Sequence, residues 1–100
     1  MPLFAEFVRF TADDPSFLDR RREAILAVKA AHPRLHAMPL ISRDEVGTWT
    51  DVWIYEDEAA AEAANADAGT IEAFAAMARL LSDVEVTSGH VPDGSASPLG

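Results

Sequence analysis

Thr48-Trp49-Thr50-Asp51-Val52-Trp53-Ile54-Tyr55-Glu56 runs straight into Asp57-Glu58-Ala59-Ala60-Ala61, joining a stretch dense in aromatic and β-branched residues to an alanine-rich one. The first part predicts a strand and the second a helix with Asp57 as its N-cap, continuing through Ala66. Alternation along the strand sets Trp49, Asp51, Trp53 and Tyr55 on one side and Thr48, Thr50, Val52 and Ile54 on the other. Neither side is plainly a solvent face.

Upstream, the polar turn Ser42–Gly47 joins this strand to a second one over Leu35–Ile41, so the pair reads as a hairpin. Pro39 cannot donate a ladder hydrogen bond and marks that second strand as an edge or a bulge. Before it, Asp14-Pro15 predicts a capped helix from Pro15 to about Ala31, ended by His32-Pro33. Phe17, Leu18, Ala24, Ile25 and Val28 share one arc of that helix; Arg21 falls within the arc and needs either to snorkel or to meet a carboxylate. Leu3–Phe10 is a first strand, with Phe4, Glu6, Val8 and Phe10 opposite Leu3, Ala5, Phe7 and Arg9.

Downstream, Asp67-Ala68-Gly69 breaks the alanine helix, and Thr70 caps a continuation in which Ile71, Phe74, Ala75, Met77, Ala78 and Leu81 share a face. Val84–Val91 is the last strand. Residues 1–91 therefore read as one α+β domain of ferredoxin-like βαββαβ order, a four-stranded antiparallel sheet with its helices on one face. Residues 92–100 have no apolar period and read as a flexible C-terminal tail. A sheet this apolar on both faces is expected to pair with a second copy, making a homodimer.

Composition narrows the partners. With 49% hydrophobic and 25% charged residues the chain is globular, and at 100 residues its core is small, so a sizeable pocket is expected to need a partner chain. A net charge of −9 argues against nucleic acid and anionic membrane; Arg20-Arg21-Arg22 lies between Asp19 and Glu23 on a helix. There is no cysteine, hence no thiol chemistry, and the three histidines lack the close spacing of a metal site. The five glycines are isolated, so no phosphate loop is expected. The start Met1-Pro2-Leu3 has neither the basic opening nor the apolar run of a signal peptide, which makes a cytoplasmic location the expectation.

The passage Tyr55-Glu56-Asp57-Glu58-Ala59-Ala60, an aromatic strand end opening an alanine-rich helix, resembles the antibiotic biosynthesis monooxygenase domain family, and the element order agrees from Leu3 to Val91. The resemblance implies a dimeric α+β barrel. It also implies a cofactor-independent monooxygenase, needing no metal or flavin, that oxidises a small phenolic, anthrone or quinol-type aromatic with dioxygen, in the manner of aromatic polyketide or antibiotic biosynthesis. The deprotonated substrate itself would donate an electron to oxygen. A haem-cleaving branch of the superfamily fits poorly: Phe7 stands where those members carry asparagine, and Thr70–Asp83 has no histidine. Many other members have a histidine near the end of the alanine-rich helix, where this chain has Asn65, which can hydrogen-bond an oxygen substituent but cannot act as a base.

His36, in phase with Met38 and Leu40, is the candidate proton acceptor, with Trp53 and Asn65 completing a catalytic set. Phe7, Met38, Trp49, Asp51, Tyr55 and Phe74 are candidate substrate-binding residues, the aromatics offering a stacking surface and Asp51 or Tyr55 a hydrogen bond. A carboxylate among aromatics needs a partner, for which Arg9 is a candidate. His32 suits a helix C-terminus, and His90 a pocket mouth. Two other readings stay open. The aromatic stripe can serve packing alone in a non-catalytic small-molecule-binding dimer. Pro2 can act as the N-terminal amine base of a tautomerase, whose unit runs strand, helix, parallel strand.

Overall fold

Strand β4 (Thr48–Tyr55) is the interior of the sheet, pairing antiparallel with β1 (Phe4–Thr11) on one side and with both β2 (Leu35–Ala37) and β3 (Ile41–Arg43) on the other. Strand β5 (Ser82–His90) pairs antiparallel with the far edge of β1, so the order is β2-β4-β1-β5 with β3 also on β4. Helices α1 (Phe17–Ala31), α2 (Glu58–Ala68) and α3 (Glu72–Ala78) complete the chain. This computed structural model describes residues 2–95. The architecture is α+β and ferredoxin-like, with five strands in place of four: Met38-Pro39-Leu40 leaves the ladder where Pro39 has no N–H to give, and the expected second strand splits into β2 and β3.

Helix α1 begins at Phe17 rather than at Pro15, because Asp14 caps a preceding turn: its Oδ1 accepts from the Ser16 N–H at 2.8 Å, and the Phe17 N–H donates to the Asp14 carbonyl at 3.0 Å. Asp57 caps α2 through an acceptor contact with the Ala60 N–H at 2.8 Å. Thr70 does not cap α3, whose N-cap is Ile71; its hydroxyl reaches back to the Asp67 carbonyl at 2.7 Å. The β3–β4 turn closes on Asp44, whose Oδ1 accepts from the Val46 and Thr48 N–H groups, and on Gly47 at φ 90°. Pro92–Ser95 forms a turn, with the Ser95 N–H donating to the Pro92 carbonyl; the rest of the expected tail lies outside the described residues.

One face of the sheet packs on all three helices. Phe4, Phe10, Trp53 and Tyr55 from the strands meet Phe17, Ala24 and Val28 of α1, Ala60, Ala61 and Ala64 of α2, and Met77 of α3. The other face carries Phe7, 44% exposed, with Val52 and Ile54 half-buried. Every strand pairing among the described residues is antiparallel, which removes the parallel pair a tautomerase unit requires. No helix among the described residues is long and apolar enough to cross a membrane.

Candidate active site

Alanine shapes the site. Helix α2 turns Ala60, Ala61, Ala64 and Ala68 toward the sheet, and these short side chains do not fill the layer between helix and strands. What remains is a cavity of about 320 Å³ bounded by the inward faces of β1, β4 and β5 and by α2 and α3. It forms within one chain, against the expectation that a partner would be needed. Trp53, Tyr55 and Phe74 supply its aromatic walls, the Trp53 and Phe74 rings meeting edge-on at 6.1 Å. Val84 and Val86 line it from β5, where they are 50% and 55% exposed, so the opening lies along that uncovered edge strand.

Few of the lining residues carry polar groups: Glu6, Asp51, Asn65, Tyr55 and Trp53. Asp51, only 2% exposed, accepts two hydrogen bonds of 2.8 Å from Arg21 Nε and Nη2, and a third of 3.0 Å from the Val52 N–H. Arg21 is thus the carboxylate-seeking arginine of the α1 arc. Arg9 is not the partner, because β1 and β4 pair Val8 with Asp51 and Arg9 with Thr50, which turns Arg9 to the opposite face.

Glu6 faces the cavity between Phe4 and Val8 and accepts from Asn65 Nδ2 at 3.0 Å. Burial pushes its carboxyl above the usual glutamate range, and the Asn65 hydrogen bond partly offsets that rise. Tyr55 is pushed well above the ordinary phenol value, first by burial and then by the Glu6 charge. Among the described residues neither the Tyr55 hydroxyl nor the Trp53 indole N–H has a hydrogen-bond partner, and no buried side-chain N or O atom is left unsatisfied. Neither polar atom is therefore fully buried, and both residues line the cavity.

The expected site residues fall into two groups. Asp51, Trp53, Tyr55, Asn65 and Phe74 come together around the cavity. His36 does not: Leu35 pairs with Tyr55 and Ala37 with Ile54, leaving His36 as the extra residue of a bulge, exposed and outside the cavity lining. The same shift breaks its phase with Met38, which packs partly buried on the core, and Leu40, which is exposed. Phe7 lies on the outer face because Glu6 takes the inner one. Trp49 shares the inner face but packs beyond the cavity, against Phe17 at 5.3 Å, with its Nε1 donating to the Ala12 carbonyl at 3.1 Å. His32 ends α1 and bonds Asp67 Oδ2 at 2.8 Å, and His90 sits against Phe4 outside the cavity lining. Glu6 was missed as a site residue. Its signal was a lone carboxylate in phase with Phe4, Val8 and Phe10.

No protein-family model matches this sequence. No curated protein sequence matches it either. Solved structures do match its fold. SnoaB, a cofactor-independent oxygenase from Streptomyces nogalater, superposes with TM-score 0.72 at 20% identity over 93% of this chain and 96% of that one. A presumed antibiotic biosynthesis monooxygenase from Caulobacter crescentus gives TM-score 0.72 at 13% identity over 92% of each chain. A NIPSNAP family protein from Agrobacterium tumefaciens gives 0.66 at 16% identity over 99% and 92%. The chain thus has the fold of the antibiotic biosynthesis monooxygenase proteins, an α+β ferredoxin-like sheet with its helices packed on one face.

Proposed function

We propose that this protein is a cofactor-independent monooxygenase acting in the cytoplasm on a small phenolic, anthrone or quinol-type aromatic. The observation that carries the proposal is the aromatic-walled cavity, in which Trp53, Tyr55 and Phe74 surround a few hydrogen-bonding groups. At the packing density of a protein interior, about 0.74, its volume of about 320 Å³ holds roughly 240 Å³ of ligand, the scale of a few fused rings.

In this reading a ring methylene loses a proton, and the carbanion gives one electron to dioxygen. The radical pair then forms a C–O bond, and the peroxide collapses with loss of the second C–H proton and cleavage of O–O. In balance, the methylene and one dioxygen become a ring ketone and one water: carbon gives up four electrons, and dioxygen takes them. The protein's part is to stack the rings, hydrogen-bond the developing oxyanion through the Trp53 N–H and Asn65, and keep bulk water from the intermediate. A second copy is proposed to cover the outer sheet face around Phe7, Val52 and Ile54, which supports a homodimer.

The test is oxygen uptake and quinone absorbance with 1,8-dihydroxyanthrone in chelator-treated buffer, measured above the spontaneous rate. Wild type is expected to turn the anthrone over, with kcat/KM falling about 10-fold or more in Trp53→Ala. A protein-independent rate refutes the proposal.

A further inference from the structure

Glu6 is the one carboxylate of the cavity that no cation neutralises: among the described residues its single side-chain hydrogen bond comes from the neutral Asn65 amide, through Oε2. Asp51, the other carboxylate, is closed off by Arg21, which spends both Nε and Nη2 on it. The lining contains no lysine, arginine or histidine among the described residues. Register sets Glu6 between Trp53 on β4 and Ser88 on β5, so its neighbours across the sheet carry no charge. From the helices it meets Asn65. The titratable groups it shares the cavity with are the Tyr55 phenol and the Arg21-paired Asp51.

Resting on the oxygenase reading for its substrate class, we propose that Glu6 accepts the proton of the bound ligand through Oε1, that Asn65 positions its carboxylate, and that the ligand binds uncharged. The arrangement has the parts of a general base: one carboxylate oxygen is held by Asn65, and the other accepts no hydrogen bond from the described residues. Burial, by holding the Glu6 carboxyl above its usual range, brings it nearer the acidity of an anthrone or phenol and makes it a better acceptor than a solvated glutamate. In the reaction, the first proton moves from the ring methylene to Oε1 while its electron pair stays on carbon. The nascent peroxide later takes that proton back. An anionic ligand would meet the Glu6 charge with no free cation to balance it, so a carboxylated aromatic is excluded.

The test pairs turnover with a ligand that is not oxidised. With 1,8-dihydroxyanthrone, kcat/KM of wild type is expected to rise with pH through the elevated Glu6 range. Glu6→Gln should lose about 10²-fold or more and flatten the profile. Asn65→Ala removes a bond that lowers the Glu6 pKa, so its ascending limb should move to higher pH. A purely structural role for the pair moves neither profile. Separately, 4-nitrophenol, whose absorbance reports its ionisation, should bind wild type as the neutral phenol about 10-fold or more better than as phenolate, and Glu6→Gln should abolish that preference. If wild type consumes no oxygen but shows the Glu6-dependent preference, the oxygenase reading fails, and with it proton acceptance in that reaction, while Glu6 stands as the charge that makes the ligand bind neutral. Should Glu6→Gln not fold, the Asn65→Ala profile decides. An unshifted Asn65→Ala limb, or a pH profile or phenol preference retained in Glu6→Gln, overturns the proposal.

Discussion

Replacing Arg21 with methionine keeps most of the aliphatic stem but strands Asp51. The carboxylate is 2% exposed and loses both 2.8 Å guanidinium bonds, retaining the 3.0 Å bond from the Val52 N–H. Removing one member of a buried pair costs about 3–5 kcal/mol, because the remaining charge is desolvated without compensation. The surviving N–H bond and the cavity beside Asp51 place Arg21→Met near ~3 kcal/mol, roughly a fifth to three-fifths of a small domain's total stability. For a chain of this size that is a loss of about 12 °C or more in Tm. Urea and thermal unfolding followed by circular dichroism measure it. Arg21→Met/Asp51→Leu, which removes both charges, should return to within about 1.5 kcal/mol of wild type. Arg20→Ala, which opens only the exposed 3.6 Å pair with Glu23, should cost less than about 0.5 kcal/mol. An Arg21→Met protein within about 1 kcal/mol of wild type, or a double variant no better than the single, refutes the electrostatic account.

Three further outcomes follow from particular contacts. Asp57→Ala, which removes the cap on the Ala60 N–H and the ion pair with Arg34, should lower the midpoint of urea unfolding. Asp67 is held below its ordinary value, first by the Thr70 hydroxyl and then by His32. A depressed acid stabilises above its unfolded pKa and loses that stability as pH falls through its native pKa, so Asp67→Asn should lower Tm at neutral pH and match wild type once the pH drops below that native value. Phe7→Glu, on the outer face and away from the cavity, should convert the proposed dimer to monomer in sedimentation velocity with the circular dichroism spectrum unchanged; a wild-type monomer removes the basis for that expectation.

What could be read along the chain was what neighbours in sequence decide. Alternation in Thr48–Tyr55, the Asp57 cap, a helix break that falls at Gly69, with α2 ending at Ala68 rather than at the expected Ala66, and the failure of Pro39 to join a ladder are each settled within a few residues, and together they give the order of elements and the α+β class. The same locality limited the site. His36 looked inward because a regular strand would put it in phase with Met38, and a one-residue bulge in β2 turned it out. Trp49, Asp51, Trp53 and Tyr55 were legible as one face of a strand but not as its inward face, since both sides of the sheet read as apolar and this one as a reason to dimerise; packing on the helices turned it inward, and Trp49 lies beyond the cavity because Phe17 of α1 reaches it first. Tertiary structure alone decided the partners: Arg21 meets Asp51 from 30 residues away, and Asn65 meets Glu6 from 59 residues away. A carboxylate's role depends on which side chain of another element is packed against it. Strand register and the closeness that alanine allows α2 set that choice here, leaving Asp51 neutralised and Glu6 open to the cavity.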